Sequence, residues 1–216
     1  MEDSTSREKV LKKVRDALIY KYDNPYPQME FESPVFNQPG DSLDVCFAEE
    51  LTKVSGKFIY CEDENEYLSS LKFLAEANGW QSVFCQETWL QEGLEKAGIA
   101  FNSADEDLTE ITVAITGCEY LIARLGSAMV SSAQSGSRRI FVFPDVHLIV
   151  GFTSQLVPDL KQAFQNIRKK YLNNYPSMIS LITGPSRTAD IEKTLVMGAH
   201  GPRELYVFLI DDSANA

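Results

Sequence analysis

The segment from residue 183 to residue 192, Thr-Gly-Pro-Ser-Arg-Thr-Ala-Asp-Ile-Glu, holds the residues best suited to bind a ligand. The apolar stretch Ser177–Thr183 predicts a strand that runs directly into this loop. In open α/β sheets, ligands bind beyond the carboxyl ends of strands, where helix amides and a guanidinium such as Arg187 attract anions. A structural interpretation stays open, in which Gly184 makes the turn and Arg187 pairs with Asp190. The predicted anion-binding residues of this loop are Gly184, Ser186, Arg187, Thr188 and Asp190.

The two histidines of the chain are further candidates for contact with a ligand. His147 follows an apolar stretch and lies beside Asp145, and His200 lies in the loop Gly198–Pro202. Either imidazole could bind a ligand or transfer a proton near neutral pH. Alternatively, each is a hydrogen-bonded residue at the end of a strand or helix. Because no cluster of carboxylates or cysteines accompanies them, we predict no metal site.

Arg124 is the remaining candidate, in the apolar loop 121–127 beside Gly126 and Ser127. It either pairs with the acidic surface of the protein or faces a cleft that it shares with Arg187. The patterns G-x-x-x-x-G-K, G-x-G-x-x-G and G-x-S-x-G do not occur in the sequence. We therefore predict no cofactor and no serine nucleophile.

The spacing of apolar residues predicts the elements that must position these side chains. Helical and strand patterns alternate from residue 41 onward. Helices are predicted at Leu43–Lys53, Glu64–Ala77, Thr88–Lys96, Leu156–Tyr171 and Ala189–Met197, and strands at Lys57–Cys61, Ser82–Cys85, Ser177–Thr183 and Leu205–Asp211. Short apolar runs between residues 111 and 143 are interrupted by glycines and indicate a section that is partly antiparallel. The alternation predicts an α/β fold with a mostly parallel sheet and helices on both faces.

The first 40 residues have a different pattern and are predicted to form an arm on a domain of residues 41–216. Ser6–Lys21 has apolar residues at helical spacing and predicts an amphipathic helix with basic residues on its outer side. Asp23–Gly40 contains four prolines and several aromatic residues, a pattern typical of an extended segment. This arm either covers an edge of the sheet or contacts a partner subunit, so an oligomer is possible.

Composition narrows the classes of function. The chain has 216 residues, with 20 Lys and Arg against 31 Asp and Glu, and a net charge of −11 that argues against nucleic-acid binding. The four cysteines form no C-x-x-C pair, so we predict neither a zinc site nor an iron–sulfur cluster. The start of the chain lacks the pattern of a secretory signal, and no apolar run is long enough to span a bilayer. We expect a cytoplasmic protein.

Two motifs resemble those of the LUD-domain family, to which lactate-utilisation protein C belongs. They are the segment 183–192 and Gly198–Pro202, which precedes an apolar strand ending at Asp211. The resemblance covers residues 41–216 and implies a fold similar to that of ribose-5-phosphate isomerase, glucosamine-phosphate deaminase and CoA-transferase. Where the family usually has a glutamate, this chain has Arg124. An arginine can act neither as a nucleophile nor as a base, which puts such chemistry in doubt here.

The resemblance implies an accessory, non-catalytic protein of lactate utilisation that lacks a cluster of its own. Such a protein would bind a small anionic ligand or an iron–sulfur oxidoreductase partner. The alternative is an enzyme of the group of folds that includes CoA-transferase, sugar-phosphate isomerase and formyltetrahydrofolate cyclo-ligase, acting on a phosphorylated or thioester substrate. In either case the predicted anion site consists of Arg124, Gly126, Ser127, His147, Gly184, Ser186, Arg187, Thr188, Asp190 and His200.

Overall fold

A computed structural model describes residues 5–19, 25–28, 40, 42–104, 111–134, 138–188, 196–198 and 200–213. The chain divides into two compact units, residues 1–37 and residues 38–216. The boundary predicted from the sequence, between an arm of residues 1–40 and a domain of residues 41–216, stays a prediction.

The first unit contains helix α1, Ser6–Ile19. Thr5 and Glu8 begin the helix with reciprocal bonds, because the backbone N–H of Thr5 donates to the Glu8 carboxylate at 2.8 Å and that of Glu8 donates to Thr5 Oγ1 at 3.3 Å. No residue of α1 is buried. The helix predicted at Ser6–Lys21 is confirmed over Ser6–Ile19, and its last two predicted residues lie outside the described residues.

The described residues of the second unit form four further helices and twelve short strands. The helices are α2 (Leu43–Lys53), α3 (Glu64–Asn78), α4 (Thr88–Ala97) and α5 (Leu160–Tyr171). The strands are β1 (Lys57–Cys61), β2 (Val83–Phe84), β3 (Phe101–Asn102), β4 (Val113–Gly117), β5 (Tyr120–Ile122), β6 (Ser127–Ser131), β7 (Val146–Phe152), β8 (Leu156–Val157), β9 (Ile179–Ile182), β10 (Arg187–Thr188), β11 (Val196–Met197) and β12 (Glu204–Ile210). Short 3₁₀ turns occupy Ala123–Leu125, Arg138–Phe141 and Thr153–Gln155.

The central sheet has the strand order β1-β12-β7-β4-β2-β3, and every neighbouring pair is parallel. The three middle strands, β4, β7 and β12, are almost entirely buried, as expected where a parallel sheet is covered on both faces. Helices α3 and α4 cover one face, where Leu71 and Leu94 pack under Leu148. Helix α2 covers part of the other face through Phe47 and Leu51. The predicted α/β fold with a mostly parallel sheet is confirmed.

A second sheet, with the order β8-β5-β6-β9, packs beside α2 on that other face. Strands β5, β6 and β9 pair in antiparallel fashion, and β8 is parallel to β5. Because side chains alternate between the faces of a strand, Ala128 and Val130 of β6 face the central sheet whereas Met129 faces α5. The partly antiparallel section predicted from the glycine-broken runs is therefore confirmed for β5 and β6. The apolar run at 139–143 is not a strand, because Arg138–Phe141 forms a 3₁₀ turn.

The C-terminal part of the chain corrects two predictions. The strand predicted at Ser177–Thr183 does not join the parallel sheet, because β9 pairs in antiparallel fashion with β6. A short apolar run fits either kind of sheet, and the partner strand decides between them. The predicted helix Ala189–Met197 is wrong at its end, since Val196 and Met197 pair with β10. Its remaining residues, 189–195, lie outside the described residues.

Candidate functional site

Two of the predicted ligand-binding loops meet at the last turn of α2. Gly126 has φ +56°, and a side chain there would collide with the backbone of Leu51. Gly184 has φ +70°, and a side chain there would collide with the carbonyl oxygen of Val54. Both positions require glycine, for the backbone angle and for the close approach. The sequence therefore brings the loops 121–127 and 183–188 together through their contact with one helix end.

The two predicted arginines lie in these loops. Arg187 is exposed, and its guanidinium donates a hydrogen bond to the carbonyl oxygen of Val54, the residue that follows α2. Carbonyl groups at the end of a helix lack intrahelical partners, and a cation there complements the helix dipole. Arg124 is half-buried in the 3₁₀ turn Ala123–Leu125, and its backbone N–H donates to Pro158 at 3.2 Å. The structure thus assigns Arg187 a partner different from Asp190, which lies outside the described residues.

Ser127 connects the two loops from inside the protein. This serine is completely buried, and its hydroxyl donates to the carbonyl oxygen of Leu125 at 3.1 Å. The same hydroxyl lies 2.8 Å from Thr183 Oγ1. Because Ser127 has only one hydroxyl proton, Thr183 is the donor in this second bond. The pair fixes the start of β6 to the end of β9, and so fixes the spacing of the two loops.

The loop with His200 lies against the same segment. The backbone N–H of Ser186 donates to the carbonyl oxygen of Pro202 at 2.8 Å, and Gly198 donates to the carbonyl oxygen of Ser186 at 3.1 Å. His200, between these two contacts, is exposed. Thr188 belongs to the short strand β10 and pairs with Val196. Of the predicted site, the structure brings together Arg124, Gly126, Ser127, Gly184, Ser186 and Arg187, with His200 in the adjoining loop.

These loops lie at the amino ends of the parallel strands, whereas the prediction placed them at the carboxyl ends. Pro202, whose carbonyl oxygen accepts from Ser186, lies two residues before β12 begins. The backbone N–H of Arg203 donates to the carbonyl oxygen of Asp145 at 2.7 Å, and Asp145 directly precedes β7. The segment therefore lies at the amino ends of β7 and β12. The prediction that this loop follows a parallel strand is wrong, because β9 belongs to the other sheet. The start of the predicted helix Ala189–Met197 lies outside the described residues. The described helix end beside the loops, that of α2, is a C-terminal one and carries partial negative charge.

His147 lies away from the loops, in the interior of the sheet. It is completely buried in β7, with Nε2 2.8 Å from Thr116 Oγ1 on β4. Its ring faces that of Phe141 at a centroid distance of 6.0 Å. Nδ1 has no hydrogen-bond partner within the described part of the chain. Burial lowers the pKa of His147 to about 3, so the imidazole is uncharged at neutral pH.

A carboxyl group that sequence reasoning missed lies at the switch point of the sheet. The chain leaves β2 toward β3 and leaves β4 toward β7, so a crevice is expected between the carboxyl ends of β2 and β4. Glu87 lies there and accepts hydrogen bonds from the backbone N–H of Gly117 at 2.8 Å and from Trp89 Nε1 at 3.0 Å. Burial raises the pKa of Glu87. The available signal was a carboxylate shortly after the apolar stretch Ser82–Cys85.

Glu119 is a second carboxylate that the sequence did not single out. Its side chain is completely buried and accepts hydrogen bonds from Ser131 Oγ and Tyr171 Oη at 2.6 Å each. Lys170 Nζ completes the group at 2.8 Å. These bonds join the β5–β6 hairpin to the end of α5, so Glu119 holds together elements about 50 residues apart in sequence. Only long-range contacts reveal the role of this residue.

Comparison with known proteins places the chain in a family. Residues 46–210, most of the second unit, match the family described as the LUD domain. The chain belongs to the LUD-domain family. The resemblance noted from segments 183–192 and Gly198–Pro202 is thereby confirmed.

Several curated proteins are similar to this chain. An uncharacterized protein of Neisseria meningitidis serogroup B is 28% identical over 165 residues, which are 70% of each chain. Lactate utilization protein C of Bacillus subtilis is 31% identical over 142 residues, 63% of this chain and 59% of that protein. Lactate utilization protein C of Macrococcus caseolyticus is 34% identical over 102 residues, 46% of this chain and 44% of that protein. The chain thus spans about half the length of these two lactate utilization proteins.

The LUD domain also has a solved counterpart. The crystal structure of a duf162 family protein from Deinococcus radiodurans matches with a TM-score of 0.58 and 17% sequence identity, over 78% of this chain and 96% of that one. At this identity the match shows the fold alone. Within the described part of the LUD-domain chain, no three His, Cys, Asp or Glu side chains are grouped so that they could hold a metal ion. No described helix is long and apolar enough to cross a membrane.

Proposed function

We propose that this LUD-domain chain serves lactate utilisation as an accessory protein that binds a small anion at its two arginine loops. The support for lactate utilisation is the similarity to lactate utilization protein C of two bacteria. Lactate and pyruvate are themselves small carboxylates, and a guanidinium is well matched to a carboxylate because it offers two parallel N–H donors. The protein works in the cytoplasm.

The convergence of the two loops on one end of α2 carries the proposal. Gly126 and Gly184 allow both loops to contact the α2 backbone, which places Arg124 and Arg187 at the same helix end. The C-terminal end of a helix repels an anion, so binding there depends on the two guanidinium groups alone. We therefore expect each arginine to contribute strongly to affinity.

The titratable groups inside the domain support an accessory role. Burial raises the pKa of Cys61 to about 11 and that of Cys85 to about 12, so both thiols stay protonated and weakly nucleophilic at neutral pH. His147 is uncharged and buried. The carboxylate of Glu119 is bonded to three donors. Each of these groups is therefore better suited to hold the fold together than to attack a substrate.

A redox partner completes the proposal. Oxidation of lactate to pyruvate releases two electrons and two protons, and an electron-accepting protein must take the electrons. As the family resemblance implies, we propose an iron–sulfur lactate-oxidation protein as this partner. Deletion of the gene should then impair growth on lactate as the sole carbon source. Growth at the parental rate would contradict this part of the proposal.

Isothermal titration calorimetry tests the anion site. L-lactate, pyruvate and inorganic phosphate are titrated separately into the wild-type protein and into Arg124→Gln and Arg187→Gln. Loss of a charge-assisted hydrogen bond costs about 1.5–3 kcal/mol, so each substitution should weaken binding at least about tenfold. Arg168→Gln, a change of the same chemistry at an exposed position of α5, is the matched control and should bind as the wild type does. Absence of binding for all three anions, or equal affinity of all variants, would overturn the proposal.

A second candidate function follows from Glu87. A carboxyl group with a raised pKa at the switch point of a parallel sheet is placed to transfer a proton, as in an enzyme that acts on a phosphorylated or thioester substrate. A panel of sugar phosphates and acyl-CoA thioesters tests this function. Turnover that is lost in Glu87→Gln, while the fold is retained, would favour the enzyme over the accessory protein.

A further inference from the structure

A cavity of about 210 Å³ lies at the carboxyl ends of two central strands. Phe152 and Ile210, the last residues of β7 and β12, pair in register and line one side of it. Residues from the first turn of α3 and from α4 line the other sides. Open α/β sheets bind their ligands in crevices beyond the carboxyl ends of the strands. The cavity therefore has the position of a ligand site, at the other ends of these strands from the two arginine loops.

The lining of the cavity is largely aromatic and aliphatic. The rings of Trp89 and Phe152 lie 5.7 Å apart between centroids, with an angle of 41° between their planes. The Glu87 carboxylate accepts from Trp89 Nε1 at 3.0 Å and so holds the indole in place. Leu90 adds an aliphatic side chain. A cavity of about 150 Å³ with a lining of this kind is large enough for benzene, so this one accommodates a substituted ring or two fused rings.

Tyr67 supplies a polar group whose hydrogen bonds are not made by the protein. The residue lines the cavity, is only 3% exposed, and packs edge-on against Phe208. Its hydroxyl has no hydrogen-bond partner among the residues that the structure describes. Burial raises the pKa of Tyr67, so the hydroxyl stays protonated and can both donate and accept. Because a buried hydroxyl without a partner is unfavourable, it points to a polar atom of a ligand.

Gly93 keeps the cavity open from the side of α4. It lies inside this helix with an ordinary helical backbone, where glycine is less favourable than alanine. A Cβ atom there would lie 3.5 Å from Leu68 and 3.9 Å from Tyr67, which are normal packing distances. Neither the backbone angle nor a close approach therefore requires glycine. The effect of the missing side chain is space beside Tyr67.

We propose that this cavity binds a small uncharged aromatic compound with one hydroxyl group or ring nitrogen, which forms a hydrogen bond with Tyr67. The charged residues of the lining are Glu64, Glu92 and Lys96, a net charge of 1 − 2 = −1. Lys96 is already paired with Glu64 at 2.8 Å. This balance disfavours an anion, so the ligand differs in class from that of the arginine loops. The inference does not depend on the anion site.

NMR titration of the full chain with phenol and with toluene tests the cavity. The two probes have nearly the same size and shape, but only phenol carries a hydroxyl group. In ¹⁵N-labelled protein the indole N–H signal of Trp89 should shift with either probe, while that of Trp80, which does not line this cavity, should not. Phenol should bind about two- to tenfold more tightly than toluene, as expected for one net hydrogen bond.

Three variants separate the hydrogen bond from the cavity. Tyr67→Phe should bind both probes with equal affinity and should unfold at the wild-type temperature or above it, because the hydroxyl that it removes has no protein partner. Tyr175→Phe makes the same change at an exposed position and should keep the preference for phenol. Gly93→Leu should abolish binding of both probes by filling the cavity. Circular dichroism of every variant monitors the fold.

Several results would overturn the proposal. One is an absence of binding at millimolar concentrations of both probes, and another is a shift at Trp80 without one at Trp89. Equal affinities of wild type for phenol and toluene would show that Tyr67 makes no bond to a ligand, as would a preference for phenol that persists in Tyr67→Phe. A large loss of stability in Tyr67→Phe would assign its hydroxyl to the fold instead. Tyr67→Phe retains the ring packed on Phe208, so it tests the proposal independently of the larger change at Gly93.

Discussion

Replacement of His147 by glutamine should remove a dependence of stability on pH. The imidazole is completely buried and uncharged in the folded chain, with a pKa lowered by burial to about 3, against an ordinary value of 6.5. Between these two values the unfolded chain binds a proton that the folded chain excludes. Protonation therefore favours the unfolded state, and the stability associated with the neutral imidazole is lost as the pH falls below 6.5.

The magnitude follows from the same two values. Each pH unit within this window is worth up to about 1.4 kcal/mol, so a fall from pH 6.5 to pH 4.5 should cost the wild type about 2–3 kcal/mol through His147. Glutamine is uncharged at every pH and can still bond to Thr116. The free energy of unfolding of His147→Gln should lie below that of wild type at pH 7, since the imperfect fit costs about 1–2 kcal/mol. The difference should shrink or reverse at pH 4.5.

Urea unfolding at several pH values between 7.5 and 4.5 measures this difference, and His200→Gln is the matched control. His200 is the other histidine of the chain and is exposed, so its replacement accounts for the removal of a histidine as such. The quantity compared is the change with pH of the free energy of unfolding relative to wild type. A parallel pH dependence of wild type and His147→Gln would refute the assignment of a neutral, buried imidazole.

Three further predictions concern stability. Lys170→Met should lower the free energy of unfolding in urea by about 2 kcal/mol, because it leaves the completely buried carboxylate of Glu119 with hydroxyl donors only. Lys169→Met, at the adjacent exposed position, should lower it by less than about 0.5 kcal/mol. Equal costs would show that the ion pair contributes nothing. The free energy of unfolding of Glu87→Gln should rise relative to that of wild type as the pH rises from 4 to 7, because the raised pKa of Glu87 makes ionisation of its carboxyl group unfavourable in the folded state. A difference between the two proteins that stays constant over this range would contradict the prediction. Gly126→Ala should cost about 2–5 kcal/mol, because a positive φ and a collision with α2 combine there, whereas Gly79→Ala has the same sign of φ with open space around it and should cost about 1 kcal/mol. Similar melting temperatures of these two variants would contradict the close approach.

Short-range signals in the sequence were sufficient for several elements of the fold. Helix α3 begins where predicted, because the Asp63 side chain accepts from the backbone N–H of Glu66 and so replaces an intrahelical partner. Helix α4 ends before Gly98, which has the left-handed conformation expected of a terminating glycine. In contrast, α5 begins four residues later than predicted from the apolar pattern, at the cap Asp159. Caps and glycines are local, so a single sequence contains the whole signal.

The candidate site could be predicted only in part. The sequence was sufficient to select Gly126 and Gly184 and the arginines near them. The location of these loops could not be predicted from the sequence, because the apolar run of β9 is compatible with either sheet, and β9 pairs in antiparallel fashion with β6. The tertiary structure also shows that both loops contact the C-terminal end of α2, which repels anions.

The family, the alternation of helices and strands, and the glycines that the turns require could all be recognised in the amino-acid sequence, since each of these depends on neighbours within a few residues. The location of the loops at the amino ends of the parallel strands and the neutral state of His147 became visible in the folded chain. The folded chain also shows that Glu119 is bonded to Lys170 and Tyr171, about 50 residues away. The physical reason is that strand pairing, desolvation and buried ion pairs depend on residues far apart in the chain, which come together only when it folds.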